Sequence, residues 1–225
     1  MWPENLNWLM LREYATSNRP LILPIGSVES HGGHLPISTD FLVASYVADV
    51  LARRNNWVSL PPVTYTVAVP SRIGNVDISP ETFGNYLLEI LAHFVNVGCR
   101  TFLIILGHGG PDMKNTIKTQ CSRLHGSTGA SIRAFHILRV LEELGVVDQS
   151  TDRHAGEWET SVLLFVEEGL VGKTDIYENG GEMKRLGVVG DPRKASKSKG
   201  EKYLDVVVRE IERRLKTSEG FSCNW

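Results

Sequence analysis

The sequence predicts an α/β protein, a three-layer sandwich in which a mostly parallel central sheet is flanked by helices. One observation is rhythm: short apolar runs alternate with longer helical patterns through most of the 225 residues, as successive βαβ units require. The other is punctuation. The apolar run at 101–106 is delivered straight into Gly107-His108-Gly109-Gly110 and then into a helical pattern, so strand, glycine turn and helix follow one another. We expect a single domain over residues 1–225. A chain of this length can bury roughly 70% of its unfolded surface, so it needs neither disulfides nor a structural metal to fold.

Taken in order, residues 19–25 read as a buried strand. Residues 41–53 read as a helix with apolar positions at Leu42, Val43, Val47, Val50 and Leu51, and with Asp40 before it at an N-cap position. Residues 57–60 and 63–69 look extended, being β-branched and partly alternating, with Pro61-Pro62 between them. Ser79-Pro80-Glu81 opens a second helix to about residue 97, because Ser suits the cap and Pro the first helical position; Gly98 stops it. After the strand at 101–106 comes a helix from about 111 to 124, a strand at 130–135, and helices at about 157–168 and 200–215. The segment 178–199 is rich in Gly, Lys and Ser and lacks a period, so it reads as a surface loop.

Charge and composition exclude several roles. Lys and Arg number 24 against 26 Asp and Glu, a net charge of −2, which offers no attraction to a nucleic-acid backbone or an acidic membrane. The apolar run at 102–106 is far short of the roughly 20 residues a membrane span needs. The first 14 residues carry Trp2, Glu4 and Trp8 where a secretory signal needs a basic start and an unbroken apolar core, so a cytoplasmic location is expected. Cys99, Cys121 and Cys223 are odd in number and unpaired in spacing, and are expected as free thiols. Trp2, Trp8, Trp57 and Trp225 are more tryptophan than a surface normally shows, and such residues are enriched at interfaces, so self-association is expected.

Four of the seven histidines fall in three short polar segments, each placed where a strand gives way to a loop or a helix begins. The first runs from Gly26 to Asp40 and holds Glu29, His31, His34 and Asp40, oxygen and nitrogen donors suited to a divalent transition metal. The alternative is a polar turn capped by Asp40. The second is the Gly107-His108-Gly109-Gly110 turn, at a strand's carboxyl end where ligands of open α/β sheets sit. It presents His108 as a ligand, or else its backbone N–H groups cradle a phosphate, although it lacks the Lys-Ser/Thr of a P-loop. The third is Asp152-Arg-His154-Ala-Gly156-Glu157-Trp-Glu159-Thr-Ser161. One continuous helix cannot aim His154, Glu157 and Glu159 at one point, a restriction on His154 that lifts if the helix starts after Gly156. The competing reading is an acidic first turn favoured by the helix dipole.

These segments, in this order and followed by Gly187-Val-Val-Gly-Asp-Pro192, resemble the successive signatures of the creatininase (creatinine amidohydrolase) family over about residues 20–215. The resemblance implies an α/β fold, usually hexameric, with two divalent metals at the strand ends activating water to hydrolyse a carbon–nitrogen bond, often in a cyclic amide or formamide. Carried across, Asp40 would bridge the metals, with Glu29, His31 and His108 as further ligands. The family's usual Glu two residues after the second-motif His is Gly110 here, so the resemblance points to Glu159 as the fifth ligand, with Glu157 in reserve and counted as catalytic. His154 resembles the family's proton-shuttling histidine, and His34 is expected at the pocket or hydrogen-bonded behind the ligands. Zinc, manganese and iron all suit this donor set.

The departures concern substrate. The usual Asn before the second motif is Leu106 and the one after it is Pro111. Where many members read His-x-x-Phe-Pro-Gly-Thr, this chain reads Val69-Pro-Ser-Arg72-Ile-Gly74-Asn75. Arg72 there either forks onto a carboxylate or phosphate of the substrate or points to solvent, for instance pairing with Asp77. The expected function is therefore hydrolysis of an amide, cyclic amide or formamide bond in a small polar molecule. Within the family the alternatives are a deformylase, a peptidase or a keto-sugar ring-opening hydrolase; outside it, a non-catalytic metal-binding assembly subunit.

Overall fold

Three apolar strands form the centre of the molecule: β1 (Leu21–Ile25), β3 (Thr101–Leu106) and β4 (Ser131–His136). In this computed structural model, which describes residues 6–69, 73–177, 179–217 and 220–225, they are joined at the edges by β2 (Val58–Ser59) and β5 (Phe221–Cys223). The order is β2-β1-β3-β4-β5 and every pairing is parallel. The central strands read as continuous apolar runs because both faces are covered. Ile22, Leu103, Ile105 and Phe135 face one core, built with α2 (Thr39–Asn55), α5 (Ile137–Glu143), α6 (Glu157–Val166) and α8 (Lys197–Leu215). Leu21, Leu23, Phe102, Ile104 and Ile132 face the other, built with α1 (Trp8–Ala15), α3 (Pro80–Val97) and α4 (Pro111–Thr128). The result is the three-layer sandwich, with the sheet wholly parallel.

This strand order places a topological switch point between β1 and β3, since the chain leaves β1 toward one edge and later returns to build the other. Ligands of open α/β sheets sit in the crevice outside such carboxyl ends. The amino end of α2 is wedged there: a Cβ at Gly107 would lie 2.0 Å from the Asp40 carbonyl oxygen, so only glycine lets the β3 turn and the helix meet.

Several local expectations are corrected. Asp40 does not cap α2. Ser38 holds the cap position without a side-chain bond, the helix begins at Thr39, and the Asp40 carboxylate is taken up by two histidines. The segment 63–69 makes only isolated bridges: Val63 continues the β2 edge beside Ile25, and Thr66 pairs with Asp77. The presumed loop at 178–199 contains α7 (Gly180–Arg185), capped by the Asn179 side chain, and a 3-10 turn at Pro192–Lys194. Helices α1 and α5 and strand β5 were not anticipated.

Candidate metal centre

Each polar segment is delivered to the switch point by a different element. Glu29 and His31 lie in the loop leaving β1, Asp40 is the second residue of α2, and His108 follows β3. His154 and Glu159 flank the start of α6, whose first residue is Glu157, so the break after Gly156 releases His154 from helical geometry. Ala155 takes a left-handed φ of 50°, turning the chain between His154 and the helix. Its N–H donates to Glu159 Oε2, and the Trp158 N–H donates to Asp152 Oδ2 at 2.9 Å.

The ligand atoms assemble into two trios that share a border: Glu29, Asp40 and His108, and His31, His154 and Glu159. Asp40 joins them. Its Oδ1 lies 3.1 Å from His31 Nε2, and its Oδ2 lies 3.1 Å from His108 Nδ1. Glu29 Oε2 is 2.9 Å from the same His108 nitrogen, and Glu159 Oε1 is 3.8 Å from His31 Nε2. The Ser27 hydroxyl reaches Glu29 Oε2 at 3.1 Å and also contacts Asp40 Oδ2. The His31 and His154 rings lie 4.3 Å apart. The group is buried except for His154, which is half-buried.

Hydrogen bonds behind the site fix which nitrogen faces it. His31 Nδ1 donates to the Glu29 carbonyl at 2.9 Å, so in the neutral ring Nε2 bears a lone pair directed at two carboxylates. Lone pairs facing anions at these distances repel unless a proton or a cation lies between them. Burial opposes protonating His31, but the Asp40 and Glu159 carboxylates outweigh it and hold the ring's pKa well above its ordinary value. Burial likewise opposes charge on His108, yet hydrogen bonds to Asp40 and Glu29 push it up to about 10. Burial would raise the Asp40 pKa, and the two histidines instead drive it well below the carboxylate range. Divalent cations fit the same donor set by taking the place of those protons. Three carboxylates and three imidazoles from separate segments are a donor set chemically apt for such ions.

Not every anticipated residue converges here. Glu157 points elsewhere: Lys199 Nζ donates to its Oε1 at 2.7 Å and the Tyr203 hydroxyl lies 3.4 Å from it. His34, expected at the pocket or hydrogen-bonded behind the ligands, takes the second place: both ring nitrogens are engaged, Nδ1 with the Tyr177 hydroxyl at 2.6 Å and Nε2 with Thr160 Oγ1 at 2.8 Å. Burial, with the His31 charge, lowers its pKa to about 4, which suits a neutral strut tying the first loop to α6. Arg72 lies outside the described residues.

A cavity of about 640 Å³ opens onto the cluster, lined by Glu29, Asp40, His108, His154 and Glu159 and also by residues the sequence reading passed over. These are His136, Gln149, Arg153, Trp158 and Lys184. His136 had a visible signal, since it ends an apolar strand as His108 follows one. It is fully buried, its pKa is lowered to about 3 by burial and by the Lys114 and His108 charges, and its Nδ1 has no partner. Gly109 makes room for its ring, where a Cβ would come within 2.7 Å of Cε1.

Fold and site together define an α/β protein with a carboxylate–histidine cluster able to hold metal at a parallel-sheet switch point. The family model described as creatinine amidohydrolase matches residues 4–215, and the chain belongs to this creatininase family of hydrolases. Among curated relatives it is 26% identical to a mycofactocin precursor peptide peptidase of Mycobacterium tuberculosis, over 87% of this chain and 84% of that protein. It is 28% identical to a 3-dehydro-scyllo-inosose hydrolase of Thermotoga maritima over 47% of this chain and 35% of that protein. Among solved structures, a manganese creatininase superposes with a TM-score of 0.82 at 19% identity, covering 96% of this chain and 97% of that one. That likeness carries the fold.

Proposed function

We propose that this chain is a hydrolase of an amide-type carbon–nitrogen bond in a small polar molecule, working with two divalent cations. The observation that supports it most is Asp40, whose two carboxylate oxygens face histidines of two different ligand trios. Glu29, Asp40 and His108 would hold one ion, and His31, Asp40 and Glu159 the other. When bound, such a pair would supply Lewis acidity, easing deprotonation of water and polarising the scissile carbonyl.

The remaining chemistry belongs to the chain. His154 Nε2 donates to the Ser30 carbonyl at 3.0 Å, leaving Nδ1 as the basic atom of the neutral ring. At the cavity wall it takes a proton as the water attacks and returns it to the departing nitrogen, so the amine leaves neutral. Trp158 and the Gly107–Gly110 backbone wall the site and limit water to the reacting face. The ring-nitrogen commitments of His34 make it a positioning residue. The cavity volume suits a ligand of drug-like size.

Peptide-bond cleavage is the second reading, favoured by the two-way coverage of the mycofactocin precursor peptide peptidase. Zinc, manganese and iron are the proposed metals. The test is a screen of amides, cyclic amides, formamides and short peptides with protein stripped by chelator and reloaded with each metal. The reading requires a turnover lost on stripping and regained on reloading. Turnover indifferent to chelator, or none across the screen with a fully loaded protein, contradicts it.

A further inference from the structure

The catalytic cavity has a cationic side that the cage does not use. Arg153 and Lys184 both line it, both are exposed at its mouth, and neither forms an ion pair among the described residues. They are not there to neutralise the acidic ligands. Glu29 and Asp40 are answered by His108 and His31, and Glu159 by His31 and the Ala155 N–H.

The backbone segments that carry the two cations are tied to one another. The Arg153 N–H donates to the Val189 carbonyl at 2.8 Å, and the next residue, His154, forms an antiparallel bridge with Val189. Lys184 lies in α7, whose end is folded back onto the same segment. The Val188 N–H donates to the Met183 carbonyl at 2.8 Å and the Gly187 N–H to the Lys184 carbonyl at 3.1 Å. Met183 and Val188 are buried in the core, which fixes that turn. Both cationic residues therefore stand on one braced stretch of backbone beside the proton-carrying histidine.

With two divalent ions in the cage, three carboxylates leave about one positive charge unanswered, and Arg153 and Lys184 add two more. Like charges gathered around one cavity repel, and a bound anion removes that cost. Resting on the two-cation reading, we propose that Arg153 and Lys184 form a carboxylate-binding subsite, so that the substrate carries a free carboxylate beyond its scissile amide. A carboxylate offers one oxygen to the guanidinium fork and one to the ammonium. The subsite would set which amides enter and how their carbonyl is presented to the cage.

The probes are N-acetylalanine and N-acetylalaninamide, which share the acetamide bond and differ in the carboxylate. Titration calorimetry on the metal-loaded protein should show the acid binding at least tenfold more tightly than the amide. In the Arg153→Gln/Lys184→Gln double variant, with metal content and circular dichroism unchanged, that preference should fall to within about twofold, and Arg153→Lys should lie between. Equal binding of the two probes, absence of binding by both up to tens of millimolar, or a preference that survives in the double variant overturns the subsite. In the last case the metals themselves hold the acid. A preference that collapses as expected in a protein that hydrolyses no amide keeps the subsite and removes the amide-hydrolase reading instead.

Discussion

At the scale of the residue, the site turns on Asp40. Its neighbours in the helix are ordinary, yet its carboxylate is buried against two histidines rather than spent on capping. Asp40→Ala should remove both metals together, seen as a fall from two ions per chain toward none by elemental analysis; retention of two would end the bridging role. The two acidic residues of the third motif separate just as sharply. Glu159→Gln should lose metal, because its carboxylate faces His31. Glu157→Gln should keep it and cost at most about 1 kcal/mol, since the partly exposed pair with Lys199 is screened by water. The residue types of both candidates were legible in the sequence, but nothing in their spacing told which one faces the histidines. That was decided by where α6 begins and by Lys199, 42 positions away in the chain from Glu157.

At the scale of the element, the legible pieces were those with their own punctuation. Helix α3 starts at Pro80 after the Ser79 cap and ends at Val97 before the Gly98 cap, and β3 spans the apolar run it was read from. Helix α5 follows β4 without any Gly or Pro between them, so the sequence from Ser131 to Leu141 gave no punctuation where strand becomes helix. Strand β5 is three residues whose only reason to extend is the free edge of β4. Helix α8 supplies a pH test. Glu210 accepts from Arg213 Nε at 2.8 Å and Arg214 Nε at 2.7 Å, and these hydrogen bonds pull its pKa from 4.5 to about 2. A depressed carboxyl pKa stabilises the fold above its unfolded value and loses that contribution as pH falls from about 4.5 to about 2. Glu210→Gln should therefore cost on the order of 1 kcal/mol at pH 7, given the solvent around Arg213, and nothing near pH 2. Denaturant melts at both pH values measure it; an equal loss at both would show that packing, not charge, is at stake.

At the scale of the whole molecule, the parallel order around β1 and β3 explains why residues from 29 to 159 meet in one crevice. The sequence showed the three motifs and, through family resemblance, their common purpose; it could not show that Arg153, Lys184 and His136 share their cavity, because those contacts exist only across the layers. The tryptophans divide as burial allows. Trp158 is in the core, Trp57 and Trp225 are half-buried, Trp8 is 69% exposed on α1, and Trp2 lies outside the described residues. Trp8, although the Arg12 guanidinium lies 5.4 Å from its ring, and the 45% exposed Leu9 leave large apolar side chains of α1 in water. We predict self-association, six copies being the number the family resemblance implies, and light scattering at micromolar concentration should give a mass several times that of one chain. A monomer mass would remove that prediction without touching the site.

The proposed chemistry rests on two cations astride Asp40. Anomalous diffraction from crystals of the metal-loaded protein, collected above and below the absorption edge of the ion supplied, tests it most directly. Two peaks are expected in each chain, one among Glu29, Asp40 and His108 and the other among His31, Asp40 and Glu159, with one Asp40 oxygen toward each. A single peak, or peaks that Asp40 does not separate, would contradict it.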